Sequence, residues 1–332
     1  MQILRDIQQL SVPEWQELMS TSSTANWFQS VEAYRFYQSV PEQLEAFVYA
    51  VHDGCLKGMV VGYVTKERSR IKQYFTRRAI IVGGPLLAND ICDEQLAALL
   101  NAVKHGLKNK AIYIESRNFN SYARWREVFV ACGFAYKAHL NFHIDTTDRD
   151  AMWERITKSK RRQIRSALAQ GVTIEPARNT DDVKAFYRLL QQLYKKKVRR
   201  PLFGEPFFLR FFENRVGEYL LVKYDGAVIG GVMAPMTDRC IYEWYICGNE
   251  VQYKELYPNV VATWAIMDYA VAHGIGCFDV MGAGMPDVPY GVREFKADFG
   301  GELVEHGRFE YISKPLLHAI GTLGIKILGQ FK

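Results

Sequence analysis

The sequence predicts an α/β (α+β) protein made of two tandem copies of one unit, each a mixed, mainly antiparallel sheet flanked by helices. Three observations carry that expectation. The first is an internal repeat. VHDGCLKGMV at 51–60 corresponds to KYDGAVIGGV at 223–232, with Asp53, Gly54 and Gly58 matching Asp225, Gly226 and Gly230 at one constant offset. WREVFVACGF at 125–134 corresponds to VREFKADFGG at 292–301, with Arg126, Glu127 and Gly133 matching Arg293, Glu294 and Gly300, again at one constant offset. The two offsets are nearly equal, which points to a duplication. The second is the order of patterns, helices first and then short strand-like runs around one long helix, which occurs twice. The third is size: 332 residues, 48% hydrophobic and 23% charged, are enough for two domains with sizeable cores.

Taken in order, the chain opens with two helices over residues 11–44. Ser11-Val12-Pro13-Glu14 is a helix start, with proline early and an acid in the first turn. The second helix contains WFQSVEAYRFYQSV. Ala46 to His52 alternates into Asp53-Gly54 and Leu56 to Tyr63 returns, which predicts a hairpin. Ala79 to Val82 is a strand ended by Gly83-Gly84-Pro85, Asp93 to Lys108 has helical periodicity, and Ala111 to Ser116 is a strand. Tyr122 to Cys132 is a helix stopped by Gly133, and strand-rich Phe134 to Ile144 closes a first domain at 1–148. A second domain follows at 149–313. Ala151 to Gln170 reads as one basic helix, Asp181 to Lys196 as an amphipathic helix capped by Asp181, and Phe207 to Val216 as a third. Tyr219 to Lys223 turns at Asp225-Gly226 into Val228 to Ala234, Cys240 to Cys247 is a further strand, and Asn259 to His273 is a helix. FDVMGAGMPDVPYGVREFKADFGG, from Phe278, then reads as strand, glycine-rich loop and closing block, and Arg308 to Ile312 completes the sheet. Residues 314–332 are expected to form an amphipathic C-terminal helix.

Several classes are disfavoured. A net charge of +6 is mild for this length, so local basic patches matter more than the total. The cysteines at 55, 92, 132, 240, 247 and 277 form no CxxC pair, and all but Cys92 sit in or beside apolar runs, as reduced core thiols of a cytosolic protein do. His139 and His143 share a strand face with no third ligand nearby, so no metal site is expected. MQILRDIQQL lacks the apolar core of a signal peptide, and no stretch reaches the ~18 apolar residues of a membrane span. The apolar C-terminal helix, with Lys314, Lys326 and Lys332 around it, can pack on the protein or lie on an inner-membrane surface.

Candidate functional residues concentrate in the second half. Lys296 follows Phe295 and precedes Phe299, downstream of the glycine-rich loop: an active-site layout, or a snorkelling surface lysine. The repeat aligns Lys296 with Phe129, so chemistry at this position belongs to the second copy. Arg155, Lys158, Lys160, Arg161, Arg162 and Arg165 cover more than one face of a helix, leaving a solvated helix and a phosphate-binding surface both open. Lys195, Lys196, Lys197, Arg199 and Arg200 crowd a loop, where like charges repel unless an anion visits. In YEWY, Trp244 is expected opposite Tyr242 and Tyr245, one set in the core and the other lining the cleft.

Four blocks taken together resemble the Fem family, the peptidoglycan-bridge aminoacyltransferases. They are WFQSVEAYRFY near the start, WERITKSKRRQIRSALAQG at 153–171, FYRLLQQLYKKKVRRPLFGEPFF at 186–208, and GVREFKADFGG at 291–301. The resemblance implies two tandem GNAT-like acyltransferase domains, with domain 1 structural and substrate-binding and domain 2 catalytic. It implies transfer of an aminoacyl group from aminoacyl-tRNA to an amine of a nucleotide- or lipid-linked muramyl peptide, in the bacterial cytoplasm or at the inner face of the membrane. No metal or bound cofactor is implied. The family's lysine soon after the Phe-Gln-Ser block has no counterpart among Arg35, Tyr37 and Gln38, and the long coiled-coil arm of some members is absent.

Acyl transfer to an amine needs an activated ester or thioester, an unprotonated amine and a donor for the developing oxyanion. Lys296, supported by Phe295, is the candidate donor. Lys197, Arg199, Arg200, Tyr245, Asp279, Tyr290 and Arg293 are the candidate substrate-binding residues, and Lys158, Arg161, Arg162 and Arg165 the candidate tRNA or phosphate contacts. The alternative is an acyl-CoA-dependent N-acyltransferase acting on an amino sugar or another envelope building block. GNEVQYKELYPNVVATW, where such enzymes cradle the pyrophosphate, has only Gly248, with Pro258 just before the helix.

Overall fold

The computed structural model describes residues 1–67, 69–198 and 200–321. The chain forms two compact units: residues 1–138 together with the chain from residue 306 onward, and residues 139–305.

The first unit contains β1 (Gln2–Leu4), α1 (Val12–Thr21), α2 (Val31–Gln38), β2 (Leu44–Asp53), β3 (Cys55–Thr65), α3 (Arg70–Thr76), β4 (Ala79–Gly83), β5 (Leu86–Leu87), α4 (Asp93–Leu107), β6 (Tyr113–Asn118), α5 (Arg126–Ala131) and β7 (Ala135–Lys137). The hairpin expected at Asp53-Gly54 is the β2–β3 pair, with Gly54 in the left-handed region. The core lies between this sheet and helices α4 and α5, and includes Val51, Val60, Leu99, Val103 and Phe129. Phe129 stacks on Phe309, ring centroids 3.9 Å apart.

The Phe-Gln-Ser block has a physical reason in this unit. Phe28 is fully buried, and Ser30 caps α2 by accepting the Ala33 amide hydrogen at 3.1 Å. Gln29 fills a gap in the sheet. β3 pairs with β4 only at Tyr63–Ile80 and Val64–Ala79, and beyond those pairs the strands part. There the Gln29 carboxamide accepts from Val61 N (2.8 Å) and donates to Val61 O (3.0 Å) and Val82 O (2.9 Å). The side chain replaces the missing ladder bonds and closes the splay. Gln29→Ala is expected to cost about 3 kcal/mol, because it strands a buried N–H and two carbonyls; urea unfolding reads the loss, and an unchanged midpoint would refute it.

The second unit contains β8 (Leu140–Asp145), α6 (Arg149–Arg155), α7 (Lys158–Ala169), β9 (Thr173–Pro176), α8 (Thr180–Leu193), α9 (Glu205–Glu213), β10 (Glu218–Tyr224), β11 (Ala227–Ala234), β12 (Cys240–Tyr242), β13 (Tyr245–Gly248), α10 (Pro258–Ala272), β14 (Cys277–Asp279), α11 (Gly291–Ala297) and β15 (Glu302–Glu305). A final strand, β16 (Arg308–Ile312), belongs to the first unit's sheet, whose order is β1-β2-β3-β4-β6-β16-β7 with β5 on β3. The second unit has two four-stranded sheets, β13-β11-β10-β9 and β12-β14-β8-β15. The Asp225-Gly226 turn joins β10 to β11 with both residues at positive φ (47° and 73°), as a two-residue Asp-Gly hairpin requires. Helix α10 is apolar on nearly every side and is buried against β11 and β13.

Several expectations are corrected. The boundaries at 148 and 313 cut across the sheets: β8 pairs with β14 and β15 in the second unit, and β16 pairs with β6 and β7 in the first. The basic helix is two helices. Ile156 turns extended (ψ 135°), and α7 restarts after Thr157, whose amide donates to Asp298 O at 2.9 Å. Asn179 rather than Asp181 caps α8, its side chain accepting from the amides of Asp181 and Asp182. Cys240 to Cys247 is two strands in different sheets, and the closing block forms a short helix, α11, ahead of β15. Cys55 is exposed rather than in the core. Residues 315–321 are helical, and the rest of the expected C-terminal helix lies outside the described residues. Among the described residues no helix is long and apolar enough to cross a membrane, and no three metal-ligating side chains come together.

Candidate active site

The site starts where one stretch of chain changes sheets. β12 runs parallel to β14, and β13 pairs antiparallel with β11. The crossover is Glu243-Trp244: the Glu243 amide donates to Asp279 O (3.0 Å), and the next amide, Trp244 N, donates to Met233 O (3.1 Å). The two sheets part here. The Glu243 side chain is only 4% exposed, and its Oε1 pairs with Lys296 Nζ at 3.0 Å. Its other oxygen, Oε2, has no hydrogen-bond partner among the described residues. Burial pushes the Glu243 carboxyl up from the usual glutamate range; Lys296 pulls it down and Asp279 pushes it up again, and burial wins. A carboxylate whose pKa is raised in this way takes up a proton more readily than an exposed one, as a general base must.

Lys296 projects from α11. Its ammonium donates to Val280 O (2.5 Å) and Gly282 O (3.1 Å) as well as to Glu243. Three N–H groups thus meet three acceptors, and the lysine ties together α11, the 280–282 loop and the crossover. For a substrate oxygen to reach the ammonium, one acceptor must give way, and Gly282 O is the most distant. Phe295 packs against the second unit's core beside Phe299, with Lys160 Nζ 4.6 Å from its ring centroid.

The loop itself is held from below. Asp279 is buried, and its carboxylate accepts from Asn141 Nδ2 (2.8 Å), Met281 N (2.6 Å) and His143 Nε2 (3.2 Å). Asn141 Oδ1 in turn accepts from Gly282 N at 2.7 Å. Burial opposes a charge on His143, but the Asp279 carboxylate more than offsets it and raises the imidazole's pKa. Met281 sits at φ 56°, a strained conformation for a side-chain-bearing residue, fixed by these bonds. Arg293 clamps the far end of the loop: Nε donates to Ala283 O (2.8 Å), Nη1 to Pro286 O (3.2 Å), and Nη2 to Met285 O and Val288 O.

The expected site residues therefore divide. Lys296 reaches the crossover, and Phe295 packs on the core beside Phe299 and Lys160. Asp279 and Arg293 spend their polar atoms on holding the loop. Tyr290 stands just before α11, about 40% exposed. Tyr245 opens β13 within an aromatic cluster of Tyr194, Phe207, Phe208 and Trp244. Trp244 stacks on Tyr245 instead of facing away from it, because the chain turns between Tyr242 and Trp244. Lys197, in a wide helical turn over Tyr194–Val198, and Arg200 are exposed and apart from this network; Arg199 lies outside the described residues. Lys158, Arg161, Arg162 and Arg165 line one surface hollow of about 510 Å³ on α7. Sequence reasoning missed Glu243, Asn141 and the role of His143. An acid inside an otherwise aromatic run, YEWY, was the available signal.

One further feature sits at the start of α10. Tyr257 is left-handed, Pro258 offers no N–H, and Asn259 N donates to Glu250 Oε1 at 3.0 Å. The helix start packs directly on the end of β13: a Cβ on Gly248 would meet Asn259 N at 2.6 Å.

Residues 155–296 match the family model described as an acetyltransferase (GNAT) domain. No curated protein sequence matches the chain. Among solved structures, FemX is similar with a TM-score of 0.72 and 16% identity, covering 97% of this chain and 100% of that one. The C-terminal domain of a putative lysylphosphatidylglycerol synthetase from Agrobacterium fabrum gives 0.58 and 12%, covering 96% of each chain. A tandem GNAT protein from the clavulanic acid biosynthesis pathway gives 0.59 and 10%, covering 94% of this chain and 99% of that one. At these identities the likeness is one of fold. The chain has a Fem-like tandem GNAT acyltransferase fold, and the match to the acetyltransferase (GNAT) model falls in its second half.

Proposed function

We propose that this tandem GNAT acyltransferase moves an aminoacyl group from aminoacyl-tRNA to an amine of a muramyl-peptide precursor. The observation that carries the reading is the buried Glu243–Lys296 pair at the parting of two sheets. In the reaction, Glu243 takes a proton from the acceptor's ammonium through its unpartnered oxygen. The freed amine nitrogen forms a bond to the ester carbonyl carbon. Lys296 releases Gly282 O and donates to the oxygen on which charge develops, a contribution of a few kcal/mol in a water-poor site. As the carbon–oxygen bond to the ribose breaks, the second nitrogen proton passes to the ribose oxygen. Glu243 returns its own proton to solvent.

The start of α10 supports an aminoacyl-tRNA donor over acyl-CoA. A helix N-terminus that cradles pyrophosphate needs free amides and room. Here Asn259 N is taken by the Glu250 carboxylate, which would repel a phosphate, Pro258 has no amide hydrogen, and Gly248 is in close contact. The FemX likeness supports the muramyl-peptide acceptor, and the name of the putative lysylphosphatidylglycerol synthetase, which carries a lysyl group, supports an aminoacyl group as what is moved.

The test is transfer of a radiolabelled aminoacyl group from charged tRNA to UDP-linked muramyl pentapeptide, run beside acetyl-CoA with glucosamine. Transfer abolished by RNase is expected. Activity with acetyl-CoA alone would reject the donor and acceptor together.

A further inference from the structure

The basic face of α7 has an order that the sequence leaves open. Lys158, Arg161, Arg162 and Arg165, with Ser166 at the end, fall on one stripe of the helix and line one hollow. Lys160 is turned away, toward Asp298 and the Phe295 ring. Ile164 and Ala167 are buried on the opposite side. The stripe places a cation every turn, about 5 Å apart along the axis.

Two of the cations are already fixed in position. Arg161 pairs with Glu154 at 2.5 Å, and the Arg165 guanidinium lies over the Trp153 ring, 5.2 Å from its centroid. The other two, Lys158 and Arg162, have no ion-pair partner among the described residues. Glu154 already matches Arg161, and the three other cations, Lys158, Arg162 and Arg165, repel one another in this concavity unless a polyanion neutralises them.

We infer that this stripe is a ladder for consecutive phosphates of an RNA strand, with Arg161 and Arg165 as preset contacts and Lys158 and Arg162 closing on the strand as it arrives. The inference rests on the aminoacyl-tRNA reading and assigns the donor's backbone to this helix. RNA fits better than a lipid surface. A membrane-binding helix sets apolar side chains beside its cations, at the level of the acyl chains. None of the residues that line this hollow is apolar. Such contacts position the RNA without reading its sequence.

The experiment is binding of deacylated tRNA to the full chain, measured by anisotropy from about 50 to about 200 mM KCl. Four contacts predict a weakening of about 50- to 150-fold across that range. Lys158→Gln and Arg162→Gln should each lower the salt slope by about 0.7 to 0.9, and the double variant by about twice that. Neither side chain has an ion pair to lose, so the melting temperature should stay that of the parent. A double variant that keeps the parent slope, while the parent still uses charged tRNA, overturns the ladder and leaves the donor reading standing. Failure of the parent to bind tRNA at the lowest salt overturns both. Loss of binding to phosphatidylglycerol vesicles with RNA binding intact overturns the ladder in favour of a membrane surface.

Discussion

Lys296→Met is expected to abolish transfer and to destabilise the second unit by about 3–5 kcal/mol, the cost of leaving a buried partner charge uncompensated. The substitution keeps the stem and removes all three N–H groups, so Glu243 Oε1, Val280 O and Gly282 O lose their donor together. The deficit should depend on pH. Glu243 already binds its proton more readily folded than unfolded, and losing Lys296 raises its folded pKa further. In that range the folded state holds more protons than the unfolded one, so stability falls as pH rises. The variant should therefore be nearest the parent at acid pH and furthest from it once the pH has passed the raised Glu243 pKa. Adding Glu243→Gln should recover much of the loss, because no charge is then buried alone; coupling near zero in the double-mutant cycle would show that the pair does not interact as described. A variant that melts with the parent at alkaline pH and still transfers the acyl group would remove Lys296 from the mechanism.

Glu243→Gln is expected to lower kcat by about 10²- to 10⁴-fold, the usual contribution of a general base. The fold should survive, since the new amide oxygen can still accept from Lys296. Parent activity should climb with pH through the raised Glu243 pKa, because the base must be ionised. The variant's residual activity should lack that acid limb. Its stability relative to the parent should improve as pH rises, since only the parent has a buried carboxyl to ionise. An unchanged acid limb in the variant would assign the titration elsewhere, with His143 the nearest candidate.

The expected duplication is visible in matched elements. The hairpins β2–β3 and β10–β11 turn at the two Asp-Gly pairs of the repeat, and α5 and α11 carry the aligned positions Phe129 and Lys296. The buried aromatic in one copy and the ion-paired lysine in the other explain why the position changed character. The break between α6 and α7 was harder to read. Ile156-Thr157 sits inside a continuous run of good helix formers, and it breaks because Thr157 N pairs with Asp298 O, near the far end of the same unit's chain.

What the sequence determined by itself was local and periodic: the repeat, the turns at Asp-Gly, the long helices and the lysine flanked by phenylalanines. Each rests on neighbours within a few residues, where backbone preference and hydrophobic spacing decide. What only the tertiary structure decided was pairing. Strands β8 and β16 change units because sheet partners are chosen by register and burial, not by order along the chain. Glu243 meets Lys296, distant in sequence, only because its strand leaves one sheet for another at that point. Alternation marks which face of a strand is apolar, but it carries no record of the place where two sheets part, and that parting buries the carboxylate that serves the lysine.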